Sequence, residues 1–163
     1  MSAPQSAPET DADAVFARLH RDADAACGVR LFTVTVLDRS AGLARRAYSS
    51  HPGDYPVSGV KPMIPDGWSD RVIGAGESFV ANSTAEFAPY FPDHALINAL
   101  GCEAALNIPV PDGRQITGTV NMLDKAGHFT PERVAMLESL IATHRAALLA
   151  AMAAVPMKDQ AGA

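Results

Sequence analysis

Residues 100–124, LGCEAALNIPVPDGRQITGTVNMLD, limit the possible folds more than any other stretch of this chain. Leu106, Ile108 and Val110 alternate with their neighbours before Pro111-Asp112-Gly113; Ile116 and the run 119–123 follow. An Asp-Gly pair accepts the positive φ that hairpin turns demand, and β-branched flanks suit a pleated, half-buried surface. The spacing therefore predicts two antiparallel strands joined by a tight turn. Gly101 reads as the stop of a preceding helix, and Gly118 as a bulge or a close backbone approach within the second strand. Asn107 and Asn121 stand, one on each strand, where apolar residues are the default. Something polar is expected beside this sheet.

The rest of the chain supplies partners for the hairpin. Phe16, Leu19, Ala23 and Ala26 recur at helical spacing between a Thr10/Asp13 capping pair and Gly28, which predicts a helix over 11–27. Residues 29–37 alternate as a strand, with Phe32, Val34 and Val36 on one side and Leu31, Thr33, Thr35 and Leu37 on the other. Residues 43–50 return as a second strand, more exposed and edge-like. Pro and Gly then punctuate 51–67 too densely for regular structure, and so long a connection in a compact domain suggests a task. A short helix over 68–73, a strand over 78–81 and a two-turn helix capped by Asp93 lead back to the hairpin. Thr130-Pro131-Glu132 starts a last helix, with Val134, Leu137, Ile141, His144 and Leu148 at helical spacing, running to about Met152. Sequential hairpins imply an antiparallel sheet covered on both sides, an α+β sandwich.

One domain is expected over 10–152, between a disordered tail at 1–9 and a flexible one at 153–163. The 163 residues suffice to bury about 70% of the unfolded surface. A formal charge of −5, with no dense basic cluster, argues against nucleic acid as a partner. No apolar run reaches the ~18 residues of a membrane span, and the N-terminus lacks the basic and apolar regions of a secretory signal. Cys27 and Cys102 make neither a disulfide framework nor a zinc quartet. The expected setting is the reducing cytoplasm, with no membrane partner.

Catalytic patterns are absent. Paired carboxylates, a Ser-His-Asp order and a Gly-rich phosphate loop do not occur as recognisable motifs. Five histidines form no metal pattern: His20 and His144 fall on the terminal helices, His128 in a turn, and His51 and His94 in the connecting segments. Cys102, at a helix-to-strand junction, reads as a buried inert thiol rather than a nucleophile.

The order of elements, the Asn107-Ile108-Pro109-Val110 to Gly118-Thr119-Val120-Asn121 hairpin, and the helix after Thr130-Pro131 resemble a GAF domain over nearly the whole chain. The resemblance implies a PAS-like three-layer sandwich: a central antiparallel sheet, terminal helices on one face, and short helices and loops closing a pocket on the other. It implies binding of a small molecule, with a dimer formed through the terminal helices. Phe16, Leu19, Leu140 and Leu149 widen the apolar arc available for that dimer. This length leaves no room for an output domain, so a separate output protein is implied.

On the pocket-walling segments, the candidate ligand-binding residues are Tyr48, His51, Tyr55, Lys61, Trp68, Tyr90, His94 and Asn107. Lys61 is one of three lysines and lies beside Pro62, a point charge suited to a carboxylate or phosphate. His94, opening a helix, is the expected second donor. A haem would need an axial ligand in an apolar box, for which His94 is the one candidate; otherwise the pattern names no cofactor and no metal. The reading is a non-enzymatic sensor of a small polar or anionic metabolite. The alternatives are an enzyme like the GAF proteins that reduce free methionine sulfoxide, with a degenerate cysteine set, and a ligand-free interaction module.

Overall fold

The computed structural model describes residues 11–158. The expected N-terminal tail, the Thr10 cap and residues 159–163 lie outside the described residues. The elements in order are helix α1 (Asp11–Cys27), strands β1 (Leu31–Asp38), β2 (Leu43–Ser49) and β3 (Lys61–Pro62), and helix α2 (Gly67–Ser69), which runs into a π-helical turn (Asp70–Gly74). Strand β4 (Phe79–Ala81), helices α3 (Thr84–Phe87) and α4 (His94–Ala99), strands β5 (Ala104–Asp112) and β6 (Gln115–Asp124), and helices α5 (Pro131–Thr143) and α6 (Arg145–Ala153) complete the domain.

Six antiparallel strands form one sheet in the order β3-β2-β1-β6-β5-β4. The expected hairpin is β5-β6, and its turn lies one residue later than the sequence suggested. Asp112 pairs with Gln115, leaving Gly113 (φ 65°) and Arg114 as the two loop residues. Gly101, at φ 86°, follows α4 as anticipated. Both readings of Gly118 hold. The β5-β6 register shifts between Val110 and Pro111, beside it. A Cβ on Gly118 would also collide with the Thr35 carbonyl oxygen and the end of the Met152 side chain. Glycine here lets α6 lie close on the sheet.

Two expectations are corrected. Strand β2 is not the edge, because the two-residue β3 pairs outside it through Leu43–Pro62 and Ala44–Lys61. A proline is tolerated on so short an edge, where its missing N–H is not needed. The last helix is not continuous: α5 and α6 meet at a 65° bend at His144. The His144 backbone N–H donates to both the Leu140 and Ile141 carbonyls, closing the last turn. Its ring Nδ1 donates to Leu140 at 2.9 Å, and Nε2 lies 3.4 Å from the Asp22 carboxylate on α1. The bend lays Leu148, Ala151 and Met152 of α6 into the core beneath α1. No single helix among the described residues is long and apolar enough to cross a membrane.

The terminal helices cover one sheet face. Phe16, Leu19 and Ala23 of α1, Leu137 and Ile141 of α5, and Leu148 of α6 pack on Phe32, Val34, Leu106, Val120 and Met122. Phe16 and Leu19 are therefore consumed within the chain and do not widen an outer apolar face. Val155 and Met157, within the tail expected from residue 153, also rest against this core, and Arg45 donates to the Pro156 carbonyl at 2.8 Å. The opposite face is covered by α2, α3, α4 and the long connection.

Candidate functional site

The strand register decides what that second face carries. Across β1, β6 and β5, Leu31 stands beside Leu123 and Leu123 beside Ala105, an apolar row. The next row is Thr33, Asn121, Asn107, and the third begins with Thr35 and Thr119. Leu37 and Ile116 then close the far end in a small apolar cluster with Val72 and Ile73. At the near end Leu31, Leu123 and Ala105 pack with Phe87, Ile97 and Cys102. Two polar rows thus lie between two apolar patches, and the covering segments stand off over them. The result is a cavity of about 370 Å³.

The floor is a hydrogen-bonded chain. Trp68 Nε1 donates to Asn107 Oδ1 at 2.9 Å, and Asn107 Nδ2 donates to Asn121 Oδ1 at 2.8 Å. Asn121 Nδ2 then donates to Thr33 and Thr35 hydroxyls, each at 3.1 Å. Beside them Thr119, 1% exposed, holds the one fully buried side-chain oxygen or nitrogen among the described residues without a partner. Buried polar atoms are nearly always satisfied, and the Thr119 hydroxyl is an exception that lies beside the cavity.

One wall is ionic. Arg46 lies over the Tyr55 ring, 3.9 Å from its centre, and donates to Tyr55 Oη and to the Pro56 carbonyl, both at 2.9 Å. The Tyr55 hydroxyl donates to Asp93 at 2.5 Å, and Asp93 lies 3.6 Å from the guanidinium. Burial pushes the Tyr55 phenol well above its ordinary value, partly opposed by Arg46. The expected side-chain cap by Asp93 on α4 is absent, because its carboxylate is turned to this cluster instead. Lys61, on β3, is exposed at the rim, and its ammonium has no hydrogen-bond or ion-pair partner among the described residues.

Five of the eight residues expected at the site line the cavity: Tyr55, Lys61, Trp68, Tyr90 and Asn107. Three do not. Tyr48 packs against Phe16 and Phe32 on the helix face, since the β1-β2 register places Val34 opposite Tyr48 and Thr35 opposite Arg46. Ala47 is therefore an extra residue, and this bulge turns Arg46 toward the cavity and Tyr48 away from it. His51 pairs through Nδ1 with the Ser50 hydroxyl at 2.9 Å, away from the cavity. His94 Nδ1 donates to the Phe91 carbonyl at 2.9 Å, closing the turn before α4. Sequence reasoning missed Thr33, Thr35, Arg46, Asp93 and Thr119 as lining residues, although Asn121 had been marked as polar in an apolar position. The threonines were visible as a period-two polar series; Arg46 carried no signal, because the bulge is not readable from the strand.

A second compartment of about 280 Å³ adjoins the first and shares Thr35, Lys61, Trp68, Tyr90 and Thr119 with it. Its own walls join Leu37, Ala44, Pro62, Met63, Ile64 and Ile73 to Arg45, Ser58, Asp66 and Ser69. Cys102 is fully buried outside both, and burial, with the Asp124 carboxylate adding, pushes its thiol up from 9.0 to about 11. A thiol held protonated is a poor nucleophile. No group of three or more His, Cys, Asp or Glu among the described residues is placed to hold a metal ion.

No family model matches the chain, and no curated protein does. Solved structures are similar to it. They include the GAF domain of a two-component sensor histidine kinase from Bacillus halodurans (TM-score 0.67, 12% identity, 85% of this chain and 93% of that one). The GAF domain of an Acinetobacter phosphoenolpyruvate-protein phosphotransferase is similar at TM-score 0.66 and 15% identity, over 93% of this chain and 90% of that one. The blue-light-absorbing form of the Thermosynechococcus elongatus PixJ GAF domain is similar at TM-score 0.64 and 14% identity, over 90% and 89%. Identities this low speak to architecture alone, and on that architecture this chain has a GAF-domain fold.

Proposed function

We propose that the chain is a sensory domain that binds a small polar or anionic metabolite in the cavity over the second sheet face, without turning it over. The observation that carries this reading is the buried Thr119 hydroxyl, left without a partner beside a polar floor and an uncompensated lysine. A domain evolved only to pack would fill that space or satisfy that oxygen. The GAF-fold neighbours from a sensor kinase and a photoreceptor support a signalling role. In this reading the domain works in the cytoplasm, where its free cysteines stay reduced, and signals to a separate protein as a dimer through α1, α5 and α6. Met136, 43% exposed on α5, is the apolar side chain offered to that dimer.

A thermal-shift screen of metabolites tests the binding. A true ligand at 100 times its Kd adds about 2.7 kcal/mol of stability, readable as a raised Tm. Light scattering at micromolar concentration tests the dimer; a monomer mass would remove that part of the proposal.

A further inference from the structure

We infer that the ligand is a monocarboxylic acid with an apolar body, its carboxylate on the polar floor and its body in the outer compartment. This rests on the reading of the cavity as a ligand site and narrows it to one chemical class.

The hydrogen-bond inventory of the floor is lopsided. Thr33 and Thr35 each accept an Asn121 amide proton, so each hydroxyl keeps its own proton to donate. Asn107 uses one amide proton on Asn121 and keeps the other, while its oxygen is occupied by Trp68. The Thr119 hydroxyl is wholly unused. Among the described residues these four groups therefore present donors with no acceptor, and Lys61 presents an ammonium likewise unpaired. Asn121 can offer little in return, since both its amide protons and its oxygen are engaged. A surface of spare donors selects an acceptor-rich group.

Charge sets how much of it. Arg46 and Asp93 lie 3.6 Å apart and offset each other, with the guanidinium further committed to Tyr55 and Pro56. Within the first compartment, Lys61 is then the one charge without a counterpart among the described residues. A single negative charge balances it; a dianionic phosphate would leave one charge uncompensated in a partly enclosed site. The apolar body is matched by Leu37, Met63, Ile64 and Ile73 in the second compartment, whose lining also includes Arg45, Ser58, Asp66 and Ser69. Both compartments share Thr119 and Lys61, so a carboxylate at that boundary has room for an apolar body on one side.

Trp68 makes the test direct. It is the sole tryptophan, it lines both compartments, and its indole N–H is tied to Asn107. The probes are acetate, butanoate, hexanoate and benzoate, with hexanamide, hexanol and inorganic phosphate beside them, read by intrinsic fluorescence and calorimetry. Expected are a shift of Trp68 emission with hexanoate or benzoate, and affinity rising about fourfold per added methylene along the straight-chain series. Hexanamide should bind at least tenfold more weakly than hexanoate. Lys61→Gln should weaken hexanoate several-fold, more at low salt than at high salt, and leave hexanamide unchanged. Equal binding of acid and amide, or phosphate binding as tightly as hexanoate, overturns the monocarboxylate class and leaves the sensor cavity standing. So does a neutral or phosphorylated hit in the thermal-shift screen when no carboxylate binds. If no compound of any class raises the Tm or moves Trp68 emission, both the inference and the sensor reading fall.

Discussion

The two faces of the sheet are built from the same strands, one residue apart. On β1, Phe32, Val34 and Val36 face the terminal helices, while Leu31, Thr33, Thr35 and Leu37 face the short helices and loops. On β6, Val120 and Met122 alternate with Thr119, Asn121 and Leu123 in the same way. The helix face is apolar through its middle rows, with Arg45 opposite Val36 and Asp124 opposite Ala104 at its ends, and its Phe16, Phe32 and Leu137 are fully buried. The other face is apolar only at its ends. The difference teaches that a pleated sheet with period-two side chains can carry a packed core on one face and a polar cavity floor on the other. Substitutions on the helix face should therefore move stability and spare binding; those on the floor should do the reverse.

The largest effect is expected on the helix face. Phe32→Ala removes a fully buried ring that packs against His20 and Tyr48, and should cost ~3–5 kcal/mol. Urea denaturation measures this as a fall in midpoint at unchanged slope. At temperatures where the variant is folded, ligand affinity should match the wild type; a changed affinity would mean the two faces are coupled through the strand.

On the floor, Asn121→Ala cuts the chain that joins Asn107 to Thr33 and Thr35. Removing one partner from a buried pair costs ~1–3 kcal/mol, and the low end is expected because the cavity lets water reach the stranded groups. Since Asn107 also holds Trp68, the same variant should change Trp68 emission without any ligand. A loss as large as that of Phe32→Ala would make the floor a structural core rather than a site.

Much of this contrast was legible before the strands were paired. The period-two pattern of 31–37 and of 106–123 assigned both faces, and the helix-face core followed from it directly. Asn107 and Asn121 announced the polar floor. The threonines did not, because a threonine in a strand is ordinary until register sets Thr33 and Thr35 beside Asn121 and Thr119. Candidates chosen by chemical type rather than by face fared worst: Tyr48 was displaced by a one-residue bulge, and His51 and His94 were satisfied by local hydroxyl and carbonyl groups. The bend at His144 was hidden for a similar reason, since the apolar spacing of three and four runs through it unbroken.

The apolar end of the site face gives a smaller, pH-dependent effect. The Cys102 thiol is raised from 9.0 to about 11 in the folded chain, so the unfolded chain ionises first as pH rises. Its contribution is fully present below about pH 9 and is lost progressively as pH climbs through about 11. Urea titrations of wild type and Cys102→Ala between pH 8 and pH 11 should show the wild type losing more stability over that interval. Thiol reagents should label the native protein slowly; fast labelling at neutral pH would point to a depressed pKa and revive a nucleophilic role.

The smallest change in stability should be the most informative, because its sign is opposite to the others. Thr119→Val keeps the shape of the side chain and exchanges a hydroxyl for a methyl. At a satisfied position that swap loses a hydrogen bond, but the Thr119 hydroxyl has no partner to lose among the described residues. The folded protein holds it at 1% exposure against the preference of a polar group for water. Removing it should leave the empty protein as stable as the wild type or firmer, by up to ~1 kcal/mol. The helix-face neighbour Val120 supplies the control, since Val120→Thr buries a new hydroxyl in a closed apolar core and should destabilise by ~1–3 kcal/mol. The paired swaps put the same chemistry on adjacent residues of one strand and should move stability in opposite directions. Binding should move the other way at residue 119: a hydrogen bond to a carboxylate is worth ~1.5–3 kcal/mol, so Thr119→Val should weaken hexanoate by about tenfold or more. Calorimetry with hexanoate and urea denaturation without it measure the two quantities separately. A Thr119→Val protein that is less stable and binds equally well would mean that the hydroxyl serves the fold, and the floor would lose the group that most clearly marks it as a place for something else.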